Sequence, residues 1–312
     1  MGELDRIQRL SRAFGGGPRE GGALGVGDDA AVLPGALPVL ATTDAVVEGV
    51  HFRRAFLSLE ALAERAIEAA VSDIAAMGGA VDLPGCGLLL SWALPRELSE
   101  GDFERLVAGS AEASRRLGVP IVGGNLSSSG ELSLTTTVLG RAEGAPVTRS
   151  GAVAGDVLAV TGTPGLRALG LAVLLQGVPE EGLAADAAEA WRQPRARLAL
   201  GRSVRGRVHA MIDLSDGLLQ DASQLGLASG VALVLDAARL PSLGPFAVLA
   251  RSLGLDPRAL GLAGGEDYEL LAAGPLEAFD HAWTVIGRVD RGSGVTVLHG
   301  PGSPLQGWDH FR

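Results

Sequence analysis

Five short motifs in this chain set acids beside Gly, Ser or Thr. They are Gly27-Asp28-Asp29-Ala30, Thr42-Thr43-Asp44, Ser72-Asp73-Ile74, Asp213-Leu214-Ser215-Asp216-Gly217 and Gly264-Gly265-Glu266-Asp267. Each closes a short apolar or glycine-rich run, where a chain can bring hard oxygen ligands to a common point. Such oxygens suit Mg²⁺, which bridges a few carboxylates and substrate phosphates. Taken singly, each acid reads more readily as an ordinary turn or helix-cap residue. Five such sites in one chain favour a shared centre. Asp28, Asp29, Asp44, Asp73, Asp213 and Asp216 come from both halves of the sequence. Brought together without a metal they would repel and raise one another's pKa values. Divalent cations are the natural remedy, and the centre would then lie between the halves, a common place for a pocket.

Other residues offer weaker signals. Gly123-Gly124-Asn125 and Gly162-Thr163-Pro164-Gly165 read as glycine-rich turns after strands. Such turns let backbone N–H groups approach an anion, although most are only turns. Arg149 is either a fork for a phosphate or a solvated surface residue. His51 follows Asp44 closely, in Glu48-Gly49-Val50-His51-Phe52; a lone histidine is more often structural. Trp308 is either an anchor for the C-terminus or a stacking plate for a ring. There is no Ser-His-Asp order and no HExxH motif, so neither triad nor zinc hydrolysis is supported.

Composition narrows the class. The 312 residues suffice for two domains, and 47% are hydrophobic. Aromatics are only 4%, so the core must be built from Ala, Val, Leu and Gly. A net charge of −10 repels nucleic acid and anionic lipid, and neither partner is expected. All 26 basic residues are arginine. With no lysine there is no P-loop lysine, Schiff base or kinase-type strand lysine. Phosphates must be handled by metals, arginine and backbone N–H groups. The lone Cys86 makes no disulfide or CxxC site and reads as a small buried hydrophobe. Residues 1–14 lack the apolar core of a signal peptide, and no run reaches the roughly 18 apolar residues of a membrane span. A cytoplasmic location is expected.

The elements that must position these residues alternate. A short apolar run at Val39–Thr43 ends in Asp44. Residues 59–77 carry apolar side chains at helical spacing, with Asp73 in the last turn and Gly78-Gly79 as the stop. A strand at 87–94 precedes a helix at 99–117, with a Ser99/Asp102 capping pattern and a Gly118 stop. A strand at 119–122, the Gly123-Gly124-Asn125 turn and a strand at 132–140 follow. Near 148–156 the character changes. The second half reads as a strand at 157–161, a helix to about 176, a helix at 187–204 broken near Pro194, a strand at 210–214 and a helix to about 228. Strands at 232–235, 269–272, 283–289 and 295–298 complete it. This is an α+β chain, α/β-type in each of two domains, with residues 1–148 and 149–312 as the halves.

In order and spacing the motifs resemble thiamine-monophosphate kinase, of the superfamily that includes aminoimidazole ribonucleotide synthetase. The matching stretches are Gly25 to Ala31, Thr42 to Asp44 through His51-Phe52, Ser72 to Gly78, Thr148 to Gly151, Val160 to Gly165, Ile212 to Gly217, Gly264 to Leu270 and Trp308 to Phe311. They cover nearly the whole chain. The resemblance implies the synthetase-like superfamily fold: an N-terminal mixed sheet with helices that forms the dimer sheet, and a C-terminal α/β sandwich. It implies a homodimer, several Mg²⁺ ions, and ATP-dependent phosphorylation of thiamine monophosphate to thiamine diphosphate. By motif matching, Asp29, Thr42, Thr43, Asp44, Asp73, Asp213 and Asp216 resemble Mg²⁺ ligands. Gly124, Asn125, Arg149 and Ser215 resemble nucleotide contacts, and His51, Glu266 and Trp308 resemble substrate contacts. Asn125 stands where the family commonly has Asp as a further Mg²⁺ ligand; an amide oxygen can coordinate, but without the charge. The alternatives are another ATP-dependent synthetase of the superfamily and a catalytically weak nucleotide-binding regulatory homologue.

Overall fold

The computed structural model describes residues 28–33, 35–241 and 244–301. Gly25 to Gly27, Trp308 and the rest of the C-terminal motif lie outside the described residues.

Helix α1 (Leu59–Ala76) forms where its spacing predicts. Ser58 caps it, its Oγ accepting the Ala61 N–H at 3.2 Å. Fourteen of its 18 residues are buried, including Arg65, Glu68 and Ser72. A helix buried almost all round is enclosed by other elements on every side. Its neighbours explain this. On one side it packs on β2 (Val39–Val47), β5 (Ser133–Arg141) and helix α2 (Glu100–Leu117). On the other it meets α5 (Leu198–Val204) and β7 (Ala210–Asp213). Two glycines permit the closest approaches. A Cβ on Gly109 would lie 2.2 Å from the Glu60 carbonyl, and one on Gly201 would lie 2.0 Å from that of Ala75. The single apolar face read from sequence is therefore only part of the contact surface of α1.

The N-terminal sheet adds β1 (Ala31–Leu33), β3 (Gly87–Pro95) and β4 (Ile121–Ser129), in the order β1-β2-β5-β3-β4. All neighbours are antiparallel except β3 and β4, which are parallel. Leu40, Ile74, Leu88 and Val138 fill the space between sheet and helix. The C-terminal sheet adds β6 (Val157–Thr161), β8 (Ala232–Asp236), β9 (Leu270–Gly274), β10 (Trp283–Asp290) and β11 (Gly294–Leu298). Its order is β11-β8-β10-β6-β9-β7. One core holds Leu158, Ile212 and Leu271 against α6 (Leu218–Ser229). Another holds Ala159, Met211 and Ala272 against Ala75 and Ala76 of α1. Helices α3 (Leu166–Leu175), α4 (Leu183–Arg192), α7 (Phe246–Ser252) and α8 (Pro257–Ala263) complete the domain. The connection between the sheets runs through Thr148 and Arg149.

Two expectations are corrected. Asp44 does not end its strand: β2 continues to Val47, with Asp44 opposite Thr136. Gly123-Gly124-Asn125 is no turn but the middle of β4, in parallel register with Leu89, Leu90 and Ser91. A Cβ on Gly124 would lie 1.9 Å from the Leu90 carbonyl, so glycine serves close strand approach there.

Candidate active site

Three elements converge on one point. Asp73 comes from the last turn of α1, Asp213 ends β7, and Asp29 lies just before β1. Each offers a carboxylate oxygen within 4.8 Å of the others. Local hydrogen bonds fix two of them. Thr42 Oγ1 donates to Asp73 Oδ2 at 2.5 Å, and Ser72 Oγ donates to Asp213 Oδ2 at 2.6 Å. The second of these joins the two domains. Asp29 Oδ1 receives Nε and Nη2 of Arg149, at 3.1 and 2.7 Å, while its Oδ2 is buried with no hydrogen-bond partner. Arg149 also donates from Nη1 to Gln224 at 2.8 Å. Its fork thus holds the acidic cluster itself.

The electrostatics follow from this crowding. Burial, then Asp213 and Asp29, push Asp73 well above the ordinary carboxylate range. Burial, then Asp29, raise Asp213 to about 7, and the same two causes raise Asp28 to about 7. Burial also raises Asp29, against the pull of Arg149. A buried carboxylate oxygen without a partner, among hard oxygen donors that resist ionisation, fits a divalent cation.

A pH dependence follows. These groups bind protons more tightly folded than unfolded, so their contribution to stability is present below about pH 4 and is lost as pH rises to about 7. In metal-free buffer the thermal midpoint is expected to fall by about 5–10 °C across that window. Added Mg²⁺ should restore it at pH 7 but not at pH 4, because the ligands must be deprotonated. Scanning calorimetry with and without Mg²⁺ checks this.

A cleft of about 680 Å³ opens beside the cluster. Its polar lining includes Thr43, Asp44, Asp73, Asp213, Ser215 and Asp216. Its apolar lining includes Phe52, Phe56, Leu171, Leu175 and Trp191. His51 and Glu266 also line it, so most of the expected site residues meet here. His51 Nδ1 accepts the Val47 N–H at 3.0 Å, which leaves the neutral ring's proton on Nε2. Gly124 and Asn125 are not brought to this cleft. They line a separate hollow of about 270 Å³ on the β3–β4 face, with Trp92 and Phe103.

The turn at Gly162–Gly165 has its anions already, and they are the protein's own. Gly165 N–H donates to Asp267 Oδ2 at 2.7 Å, and the Glu269 carboxylate occupies the space beside Gly162.

Several contributors escape the sequence reading. Asp221 Oδ2 accepts the N–H groups of Asp216 and Gly217, at 3.3 and 3.1 Å, and so shapes the Asp216 loop. Glu266 and Tyr268 have φ of 61° and 49°, a left-handed backbone that costs non-glycine residues about 1–3 kcal/mol each. They flank Asp267 and are tied to the Asp213–Asp216 loop: Glu266 N–H donates to Ser215 O at 2.6 Å, and Tyr268 N–H to Leu214 O at 2.8 Å. The available signals were Asp221 one turn past Gly217, and Arg65 as the one basic residue of the helical stretch at 59–76.

Comparison with known proteins agrees with this architecture. The AIR synthase related protein N-terminal domain matches residues 27–142, and the C-terminal domain matches residues 153–300. A thiamine-monophosphate kinase of Methanopyrus kandleri is 36% identical over 289 residues, covering 91% of this chain and 89% of that protein. One from Mycobacterium tuberculosis is 35% identical over 323 residues, covering 100% and 92%. A solved structure described as AaThiL complexed with AMPPCP and TMP is 33% identical, with a TM-score of 0.90 and coverage of 99% of this chain and 97% of that one. Both domains and nearly the full length match, and the chain belongs to the thiamine-monophosphate kinase family, among the AIR synthase related proteins.

Proposed function

We propose that this protein transfers the γ-phosphoryl group of ATP to thiamine monophosphate, forming thiamine diphosphate. One observation carries the assignment. Acids from both domains meet at a cleft, with a buried, partnerless Asp29 oxygen, in a chain of this family. Asp29, Asp44, Asp73, Asp213 and Asp216, with Thr42 and Thr43, would hold Mg²⁺. Bound there, Mg²⁺ offsets phosphate charge and orients the reacting groups. Ser215 serves the nucleotide directly, Arg149 serves it through the acids its fork holds, and His51, Glu266 and Trp308 serve the acceptor.

No side chain need act as a base. The acceptor phosphate has a second pKa of about 6, so its oxygen is largely ionised at neutral pH. The difficulty is charge: two unit charges ~5 Å apart repel by roughly 3 kcal/mol at an effective dielectric near 20. The acid cluster would answer it by holding cations, whose positive charge would offset that of the phosphates. Arg149 contributes a fixed positive charge beside Asp29 and Asp28. The enzyme works in the cytoplasm in this scheme, without nucleic acid or membrane. No helix among the described residues is long and apolar enough to cross a membrane.

The functional unit is a homodimer built on β4. This nine-residue edge strand is exposed through most of its length, with Val122 58% and Leu126 60% accessible. Long apolar edges invite pairing. A partner strand there covers the edge and accounts for Gly124 and Asn125 lying apart from their own subunit's acids: they would serve a site completed across the two-fold. Asn125→Asp is then expected to lower the Mg²⁺ concentration at half-maximal rate severalfold. An unchanged Mg²⁺ titration removes Asn125 from the metal set, and sedimentation equilibrium at a monomer mass removes the dimer.

The assignment is tested by incubating the protein with ATP, Mg²⁺ and thiamine monophosphate. ADP and thiamine diphosphate are expected in equal amounts by mass spectrometry. ADP release without thiamine diphosphate would favour another superfamily reaction.

A further inference from the structure

Glu266 differs from the other acids of the cleft. Its Oε1 forms an ion pair with Arg65 Nη2 at 2.6 Å, and its Oε2 accepts the Trp191 indole N–H at 2.9 Å. Arg65 comes from α1 and Trp191 from α4, so each domain supplies one anchor. The Arg65 guanidinium lies 4.6 Å from the Trp191 ring centroid and also donates to the Trp191 carbonyl. Arg65 is 1% exposed and does not line the cleft; the Glu266 side chain is 27% exposed and does. Phe56 meets the Trp191 ring edge-on at 6.3 Å.

An unpaired carboxylate in this cleft would compete for the divalent cations held by its neighbours. Pairing with Arg65 removes that charge. What remains is a hydrogen-bond acceptor with both oxygens fixed in direction, on a strained backbone tied to the loop that carries Asp213 and Asp216. Such a group selects an N–H donor and holds it in register with the metal-binding loop. The aromatic edges of Trp191 and Phe56 beside it suit a flat heterocycle.

We propose that Arg65 and Trp191 are positioning residues for the acceptor. Acting through Glu266, they hold its carboxylate as a charge-balanced acceptor for the amino group of the substrate's heteroaromatic ring. They take no part in binding ATP or metal. The inference rests on the kinase assignment above.

Trp191→Phe tests it, because an aromatic ring remains for Arg65 to stack on while the N–H is lost together with part of the ring's area. KM for thiamine monophosphate is expected to rise about tenfold, with kcat, KM for ATP and the Mg²⁺ half-maximum within twofold. Adding Trp191→Phe to Glu266→Gln should cause no further loss, since both changes break one coupled unit. With an acceptor analogue carrying oxygen in place of the amino group, the Trp191→Phe effect should vanish. If Trp191→Phe does not fold, Arg65→Lys, which keeps the charge and loses the fork, should show the same pattern. Additive losses in the double variant, or an equal shift in the ATP and acceptor constants with a lowered thermal midpoint, would make the role structural and overturn the inference. An unchanged acceptor KM overturns it while leaving the kinase assignment intact. Absence of thiamine monophosphate turnover in the unaltered enzyme overturns both.

Discussion

Asp73→Asn is expected to lower turnover by on the order of a thousandfold, about 4 kcal/mol of transition-state stabilisation. The thermal midpoint in Mg²⁺-free buffer should hold or rise. Asp73 sits in the last turn of α1, where the helix dipole disfavours a negative charge, and beside Asp29 and Asp213. It is thus a poor choice for stability and a good one for holding a cation. An asparagine keeps the hydrogen bond to Thr42 Oγ1 and relieves the repulsion. It also removes a charged ligand from the centre of the cluster. Steady-state kinetics and calorimetry on one preparation check both halves. A large loss of stability with activity retained would make Asp73 a structural residue.

Thiamine without its phosphate is expected to be a very poor acceptor, with kcat/KM lower by several orders of magnitude. Its ring could still meet His51, Glu266 and the aromatic lining of the cleft. An alcohol, however, must lose a proton near transfer, and no residue here is assigned as a general base. It also lacks the charge that the acid cluster and its cations are arranged to meet. The loss should therefore appear mainly in kcat, as expected for an interaction realised in the transition state. ADP release with each acceptor at matched concentration, with the product weighed, is the check. Comparable rates would refute transfer to a phosphate oxygen.

The parts legible in the sequence were those fixed by local rules. The Ser99 cap forms, with Oγ accepting the Asp102 N–H, and Gly118 ends α2 at φ 68°. The strand read at 132–140 forms as β5, Ser133–Arg141. The break near Pro194 falls between α4 and α5. Helices α7 and α8 were missed because seven residues are too few for a periodic signal. Gly123-Gly124-Asn125 was misread because glycine marks a turn and a close strand approach alike. The convergence of Asp29, Asp73 and Asp213 was anticipated from residue type and from neighbouring Gly, Ser or Thr. The cluster of Arg65, Trp191 and Glu266 was not, since Arg65 lies 126 positions from Trp191, and Trp191 75 from Glu266, and tertiary packing alone joins them.

The most direct measurement follows the γ-phosphoryl group of labelled ATP. With thiamine monophosphate and Mg²⁺, the label is predicted in the terminal phosphate of thiamine diphosphate, and chelating the metal should abolish its transfer. Label released as free phosphate while thiamine monophosphate stays unchanged, or transfer that survives chelation, would contradict metal-assisted phosphoryl transfer at this cleft.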